Sequence, residues 1–328
     1  MPELSRILSA LAGARGQPAA LATLVRVEGS SYRRPGARLL LLSDATRAGS
    51  ISGGCLEEDV LERARRVLAT GQPQLAQYDT TSENDLVWGV GLGCQGVVRI
   101  FIEPLPAERP PWVATLRKNL HERRATMIEV EFGSPAPRGT QLAEPDEGCA
   151  DIFRETIAAP PALIIFGAGE DARPLARLAR EIGWHVTVVD SRPAYATSVR
   201  FPDADAVNHA PAADAPQFLP SDGAAFAVIM THRYTEDLQL LRQLLPHPLA
   251  YVGLLGPRKR TERLLAQLRA EGFAPDAAML SRLHAPIGLD LGGNTPETVA
   301  LAIAAEIQCR LSGRAPIHLR DRDAPIHD

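Results

Sequence analysis

Residues 162–190, ALIIFGAGEDARPLARLAREIGWHVTVVD, decide the fold of the second half of the chain. ALIIF (162–166) is a short, continuous apolar run, the pattern of a strand buried on both faces. Residues 170–182 read as a helix, with Pro174 near its start, where a proline does least harm. HVTVVD (185–190) reads as a second strand. Between strand and helix stands Gly167-Ala168-Gly169-Glu170-Asp171-Ala172, the GxGxxA form of the dinucleotide fingerprint. Asp190 closes the second strand, 21 residues after Gly169, where an acid would accept a ribose 2′-hydroxyl. Gly167, Gly169, Ala172 and Asp190 are therefore candidate nucleotide contacts. Glu170 and Asp171 stand where a pyrophosphate would approach the helix N-terminus, and their charge predicts weak binding. The competing reading is a fold that keeps its glycines for turn geometry alone.

The rhythm continues downstream. AAFAVIM (224–230) and LAYVGLL (249–255) read as strands, and 234–245, 259–271 and 295–311 as helices, the last capped by Thr295 before Pro296. Strands alternating with helices predict a Rossmann-like doubly wound parallel sheet over 159–312, followed by a loose tail, 313–328. Met230-Thr231-His232-Arg233 follows a strand, so His232 falls at the carboxyl edge, where such folds bind ligands. Arg258, Lys259 and Arg260 crowd the first turn of a helix and oppose its dipole, which calls for an anion or an acidic partner, or for a solvated charge run.

Upstream, residues 1–158 predict a mixed α/β domain. MPELSRILSALAG reads as an amphipathic helix, 20–27, 38–43, 97–102 and 125–132 as strands, and 56–69 as a helix with Leu56, Val60, Leu61, Ala64, Val67 and Leu68 on one face. PLPAERPP (104–111) reads as a break, and 133–148 as a surface loop. Two stretches carry chemistry. Gly53-Gly54-Cys55 sits at a helix start, where the dipole lowers a thiol pKa. Cys94 lies among glycines, Gly89 to Gly96, which cannot build a helix and would present the thiol in a loop, with Gly93 beside it. Two glycine-framed thiols suggest one site with soft sulfur ligands, or a redox disulfide. Arg33, Arg34 and Arg38 form a local cluster suited to a phosphate or an acidic partner.

Composition narrows the function classes. A net charge of −4 over 328 residues argues against a general nucleic-acid binder. No apolar run approaches the 18 residues or so of a membrane span. Only Lys118 and Lys259 are lysines among 35 basic residues, an arginine bias that a GC-rich genome explains. Four cysteines without CxxC spacing are no disulfide scaffold, and with no export signal a cytoplasmic location is expected.

VEGSSYRRPGARLL, SISGGCLEEDV, GLGCQGVVRIFIEPL, the 163–193 segment, MTHRYTEDL, YVGLLGPRKR and IGLDLGGNTPETVALAIAAEI together resemble the XdhC/CoxI family. These are maturation factors for xanthine dehydrogenase and related molybdenum hydroxylases. The resemblance implies an accessory factor more than a turnover enzyme. Such a factor binds the molybdenum cofactor (molybdopterin), protects it, supports its sulfuration from a cysteine desulfurase, and inserts it into the client enzyme. It implies a homodimer, with Cys55 and Cys94 facing the molybdenum. The sequence departs from the family's usual pattern at Gln95, Glu170 and Pro257, where Gly, His and Ser are frequent. Two other readings stay open: an NAD(P)-dependent oxidoreductase using His232, and an interaction protein with an empty Rossmann domain.

Overall fold

A computed structural model describes residues 2–14, 16–54, 56–79, 96–143, 151–220 and 224–323. The chain divides into two units, Met1–Ala159 and Pro160–Asp328.

In the first unit, the RLLLL run of β2 (Arg38–Leu42) is buried at every position. Successive strand residues point to opposite faces, so such a strand needs cover on both sides. Its sheet is antiparallel, in the order β3 (Arg47–Gly49), β2, β1 (Ala19–Gly29), β5 (Gly96–Leu105), β4 (Gln74–Asp79). Leu21, Leu40, Leu42 and Leu105 pack with α1 (Pro2–Gly13) and α3 (Pro111–His121). Ala20, Ala22, Leu39, Leu41 and Ile102 face the other way, onto Val60, Leu61, Ala64 and Val67 of α2 (Glu57–Thr70). Helix α2 opens on three acids, Glu57, Glu58 and Asp59, which suit its dipole, and closes on Gly71 at φ +68°. A smaller antiparallel sheet runs β7 (Gly139–Leu142), β6 (Thr126–Glu131), β8 (Ile152–Ile157). Two expectations change here. The proline-rich break is the end of a strand, since β5 runs through Pro104 to Leu105, past the last β4 partner at Ile102. The surface loop 133–148 contains strand β7.

The second unit is a six-stranded, wholly parallel sheet in the order β11 (Ala206–His209), β10 (His185–Asp190), β9 (Ala162–Phe166), β12 (Ala225–Ile229), β13 (Tyr251–Leu254), β14 (Leu283–His284). Leu163, Ile165, Val186 and Val188 are buried with Leu175 and Ala176 of α4 (Ala172–Glu181) and Ile303 and Ile307 of α8 (Pro296–Ser312). Ile164, Phe166, Ala227 and Ile229 are buried with residues of α5 (Tyr234–Leu244) and α6 (Arg258–Ala270). Helices thus cover both faces, as a Rossmann sheet requires. The chain leaves β9 for β10 and β11, then returns to β12 on the opposite side of β9. That reversal places Gly167–Asp171 and Met230–Arg233 together at the carboxyl edge. Among the described residues no helix is long and apolar enough to cross a membrane.

Candidate functional site

In the first unit, described residues beside both cysteine motifs lie near one turn. Strands β1 and β2 are joined by residues 30–37, which carry Tyr32, Arg33 and Arg34. A Cβ added to Gly53 would lie 3.7 Å from the Tyr32 ring. Gly96, the last residue of the second glycine stretch, pairs with Gly29, and a Cβ there would meet the Ser30 carbonyl at 2.4 Å. The described flanks of both cysteine motifs therefore abut the same turn. Cys55, Gly93 and Cys94 themselves lie outside the described residues, as does Cys149. Cys309 is partly buried in α8.

The strand-to-helix passage is organised by a carboxylate. Glu57 accepts the Ser50 hydroxyl at 3.0 Å, the Ser52 N–H at 2.8 Å and the Ser52 hydroxyl. The Ser52 oxygen in turn accepts the N–H groups of Gly54 at 3.2 Å and Leu56 at 3.1 Å. Burial pushes the Glu57 carboxyl up, but the bonds from Ser52 and Ser50 outweigh it and hold the carboxyl below its usual range. Gly54 has φ +117° with open space where a side chain would stand. Gly53 and Gly54 are both exposed. Helix α2 begins only at Glu57.

The arginines separate. Arg34 is exposed, and Arg33 reaches Glu3 at 2.5 Å. Arg38 differs from expectation. It is 4% exposed, donates to the Gly36 carbonyl at 2.9 Å and pairs with Glu155. A guanidinium so enclosed holds the turn from beneath, because its forked donors are already used inside the domain. Among the described residues no three His, Cys, Asp or Glu side chains group to hold a metal ion.

In the second unit, Gly167 takes φ +113°, and a Cβ there would strike the Met230 carbonyl at 2.4 Å. Only glycine fits between the two strand ends. A Cβ on Gly169 would meet nothing within 4 Å. Ala172 is buried at the start of α4. A shallow pocket opens beside the glycine turn, lined by Phe166, Gly167, Asp190, Ser191, Pro211, Thr231 and Leu240 among others.

The charges at this edge pair differently from expectation. Glu170 does not stand alone: it binds Arg173 at 2.9 Å and Arg200 at 2.6 Å. These bonds hold its carboxyl below its usual range. Asp171 meets His232 Nε2 at 3.0 Å, and His232 takes the left-handed region at φ 59°. Asp190 turns inward. It accepts the Ala168 N–H at 2.6 Å and the Arg192 N–H at 2.8 Å, and Arg192 Nε and Nη2 at 2.9 and 2.7 Å. Burial pushes its carboxyl up, and these donors outweigh burial and hold it down. The basic run of α6 also finds its anion within the chain. Asp237, 1% exposed, receives Arg260 at 2.5 and 3.2 Å and the Thr231 hydroxyl. Sequence reasoning missed Ser52, Glu57, Arg192, Tyr195, Arg200 and Asp237. The one readable signal was Arg192, two residues beyond the strand-ending acid.

Comparison with known proteins agrees with this architecture. The family model described as XdhC and CoxI family matches residues 12–79, and the one described as XdhC Rossmann domain matches 163–307. A protein of Bacillus subtilis (strain 168) described as a probable xanthine dehydrogenase subunit is 36% identical over 317 residues, 89% of this chain and 92% of that protein. The molybdenum cofactor insertion chaperone PaoD of Escherichia coli (strain K12) is 22% identical over 296 residues, 89% of this chain and 83% of that one. A crystal structure described as a xanthine dehydrogenase from Bacillus halodurans superposes with a TM-score of 0.78 at 30% identity, covering 96% of this chain and 97% of that one. The chain belongs to the XdhC and CoxI family.

Proposed function

We propose that this protein is a molybdenum-cofactor insertion chaperone for a xanthine dehydrogenase-type hydroxylase. The observation that carries the reading is the turn 29–34, against which the described flanks of both cysteine motifs lie. Family membership and the name of the E. coli relative support the accessory role. When bound, the cofactor supplies a molybdenum with exchangeable oxo and sulfido ligands on a phosphate-bearing pterin.

The residues present fit that group. Gly53 and Gly54 leave backbone open to a large ligand. Soft thiolates at Cys55 and Cys94 suit the metal. Arg34 and Arg33 would hold the phosphate, for which Arg33 would exchange its Glu3 partner. Arg38 supports their turn from the interior. In this reading the chain protects the cofactor, works with a cysteine desulfurase as its sulfur source, and acts in the cytoplasm as a homodimer. An NAD(P)-class nucleotide would be received by the second unit at Gly167, Gly169 and the His232 turn, beside buried Ala172 and inward-facing Asp190.

The test is co-expression of a client hydroxylase with Cys55→Ala. An assembled client that lacks molybdenum or activity is expected, while Cys149→Ser and Cys309→Ser leave it loaded. A fully active, fully loaded client with Cys55→Ala would remove the thiol from the mechanism.

A further inference from the structure

We propose that the carboxyl edge of the second unit selects a nucleotide phosphorylated on its adenosine 2′-hydroxyl, the NADP(H) class, through Arg192 and Arg200. The inference rests on nucleotide binding by this unit. It is independent of the cofactor chemistry assigned to the first.

A 2′-hydroxyl is ordinarily received by a free carboxylate at the end of the second strand. Asp190 occupies that position, but its side chain is only 1% exposed. A carboxylate offers about four lone-pair sites. Those of Asp190 are engaged by the Ala168 N–H, the Arg192 N–H and two donors of the Arg192 fork. A hydroxyl cannot donate to it without displacing the guanidinium. What a ribose meets instead is Arg192, whose side chain is 33% exposed.

A second guanidinium stands beside it. Arg192 lies 3.7 Å and Arg200 4.9 Å from the centre of the Tyr195 ring. The ring holds both cations at one place, which unpaired arginines would avoid. Arg200 is 27% exposed, and its Nε is buried without a hydrogen-bond partner. It also anchors the edge to the glycine turn through the exposed Glu170. Arg173, Arg192 and Arg200 meet Glu170 and Asp190 here, and Glu236 lies nearby, bonded to Ser191 and Arg233. An incoming phosphate replaces exposed Glu170 on Arg200 and takes the outer face of Arg192. Asp190 keeps its bond to Ala168. The bare Gly169 leaves room for the diphosphate.

The experiment is calorimetric titration of the full-length protein with NADP+, NAD+, 2′,5′-ADP and 5′-AMP. The 2′-phosphorylated member of each pair should bind about tenfold tighter or more, the scale of one charge-assisted contact. The advantage should fall as salt rises. Arg192→Ala should bring NADP+ and NAD+ to similar affinity. Because Arg192 also neutralises buried Asp190, Arg200→Ala is the second variant; it should cut the preference severalfold while circular dichroism stays unchanged. Equal affinities for NADP+ and NAD+, absence of binding by both, or a preference that survives both variants would overturn the assignment. None of these results bears on client activation, so the chaperone reading stands or falls separately.

Discussion

Glu57 shows how one residue can set a loop. It gathers Ser50 and Ser52, and Ser52 in turn gathers Gly54 and Leu56. Removing the acceptor leaves partly buried donors unsatisfied, each costing on the order of 1 kcal/mol or more. Glu57→Ala is therefore expected to lower stability by about 1–3 kcal/mol, read from the urea midpoint. The pH dependence has a defined sign. The folded carboxyl titrates below its ordinary value of 4.5. Its contribution is present above that value and is lost as pH falls through the lower, folded one. The stability gap between the parent and Glu57→Gln should thus be widest near neutrality and narrow in acid. A gap constant from neutral pH into the acid range would mean that the carboxylate charge plays no part in the clasp.

At the scale of elements, helix α6 illustrates what a sequence can and cannot disclose. Its position and length follow from apolar spacing after a strand, and the dipole argument flags Arg258, Lys259 and Arg260 as costly. The sequence does not disclose that only Arg260 is redeemed. Its partner, Asp237, lies 23 residues earlier on α5, and no local period links the two. Arg258 and Lys259 remain exposed at the helix start. Lys259→Glu should accordingly stabilise the protein by roughly 0.3–1 kcal/mol. Asp237→Ala, which strands Arg260, should cost about 2 kcal/mol or more, short of the ~3–5 for a fully buried pair. Urea melts of the two variants shifting in the same direction would refute this account of the helix. The same limit explains the site. The glycine turn and the strand-ending acid were legible because their chemistry is local. That Asp190 faces inward, that Glu170 is neutralised by Arg173 and Arg200, and that Arg38 is sealed by Glu155 depend on contacts set by tertiary packing. Short or half-exposed strands such as β4 and β8 were likewise missed, because their burial is too intermittent to leave a clear alternation.

At the scale of the whole molecule, the two units carry separate buried clusters, which argues for separate cooperative transitions. A ligand stabilises only the part that binds it. NADP+ at about a hundred times its Kd should add ~2.7 kcal/mol to the second unit. For a unit of this size that raises Tm by roughly 5–10 °C. The chain supplies a reporter for each half. Trp184 is buried in the second unit and stacks on Phe226, with ring centres 6.5 Å apart. Trp112 is buried in the first, where its indole N–H has no partner, so Trp112→Phe should be mild. Combining it with Trp88→Phe, at a position outside the described residues, leaves Trp184 as the only tryptophan of three. Fluorescence melts of that variant should follow the ligand-shifted transition seen by calorimetry, while the other transition stays in place. A single transition, or one in which both halves move together with NADP+, would show that the two cores unfold as one cooperative body and that the nucleotide acts on the whole chain.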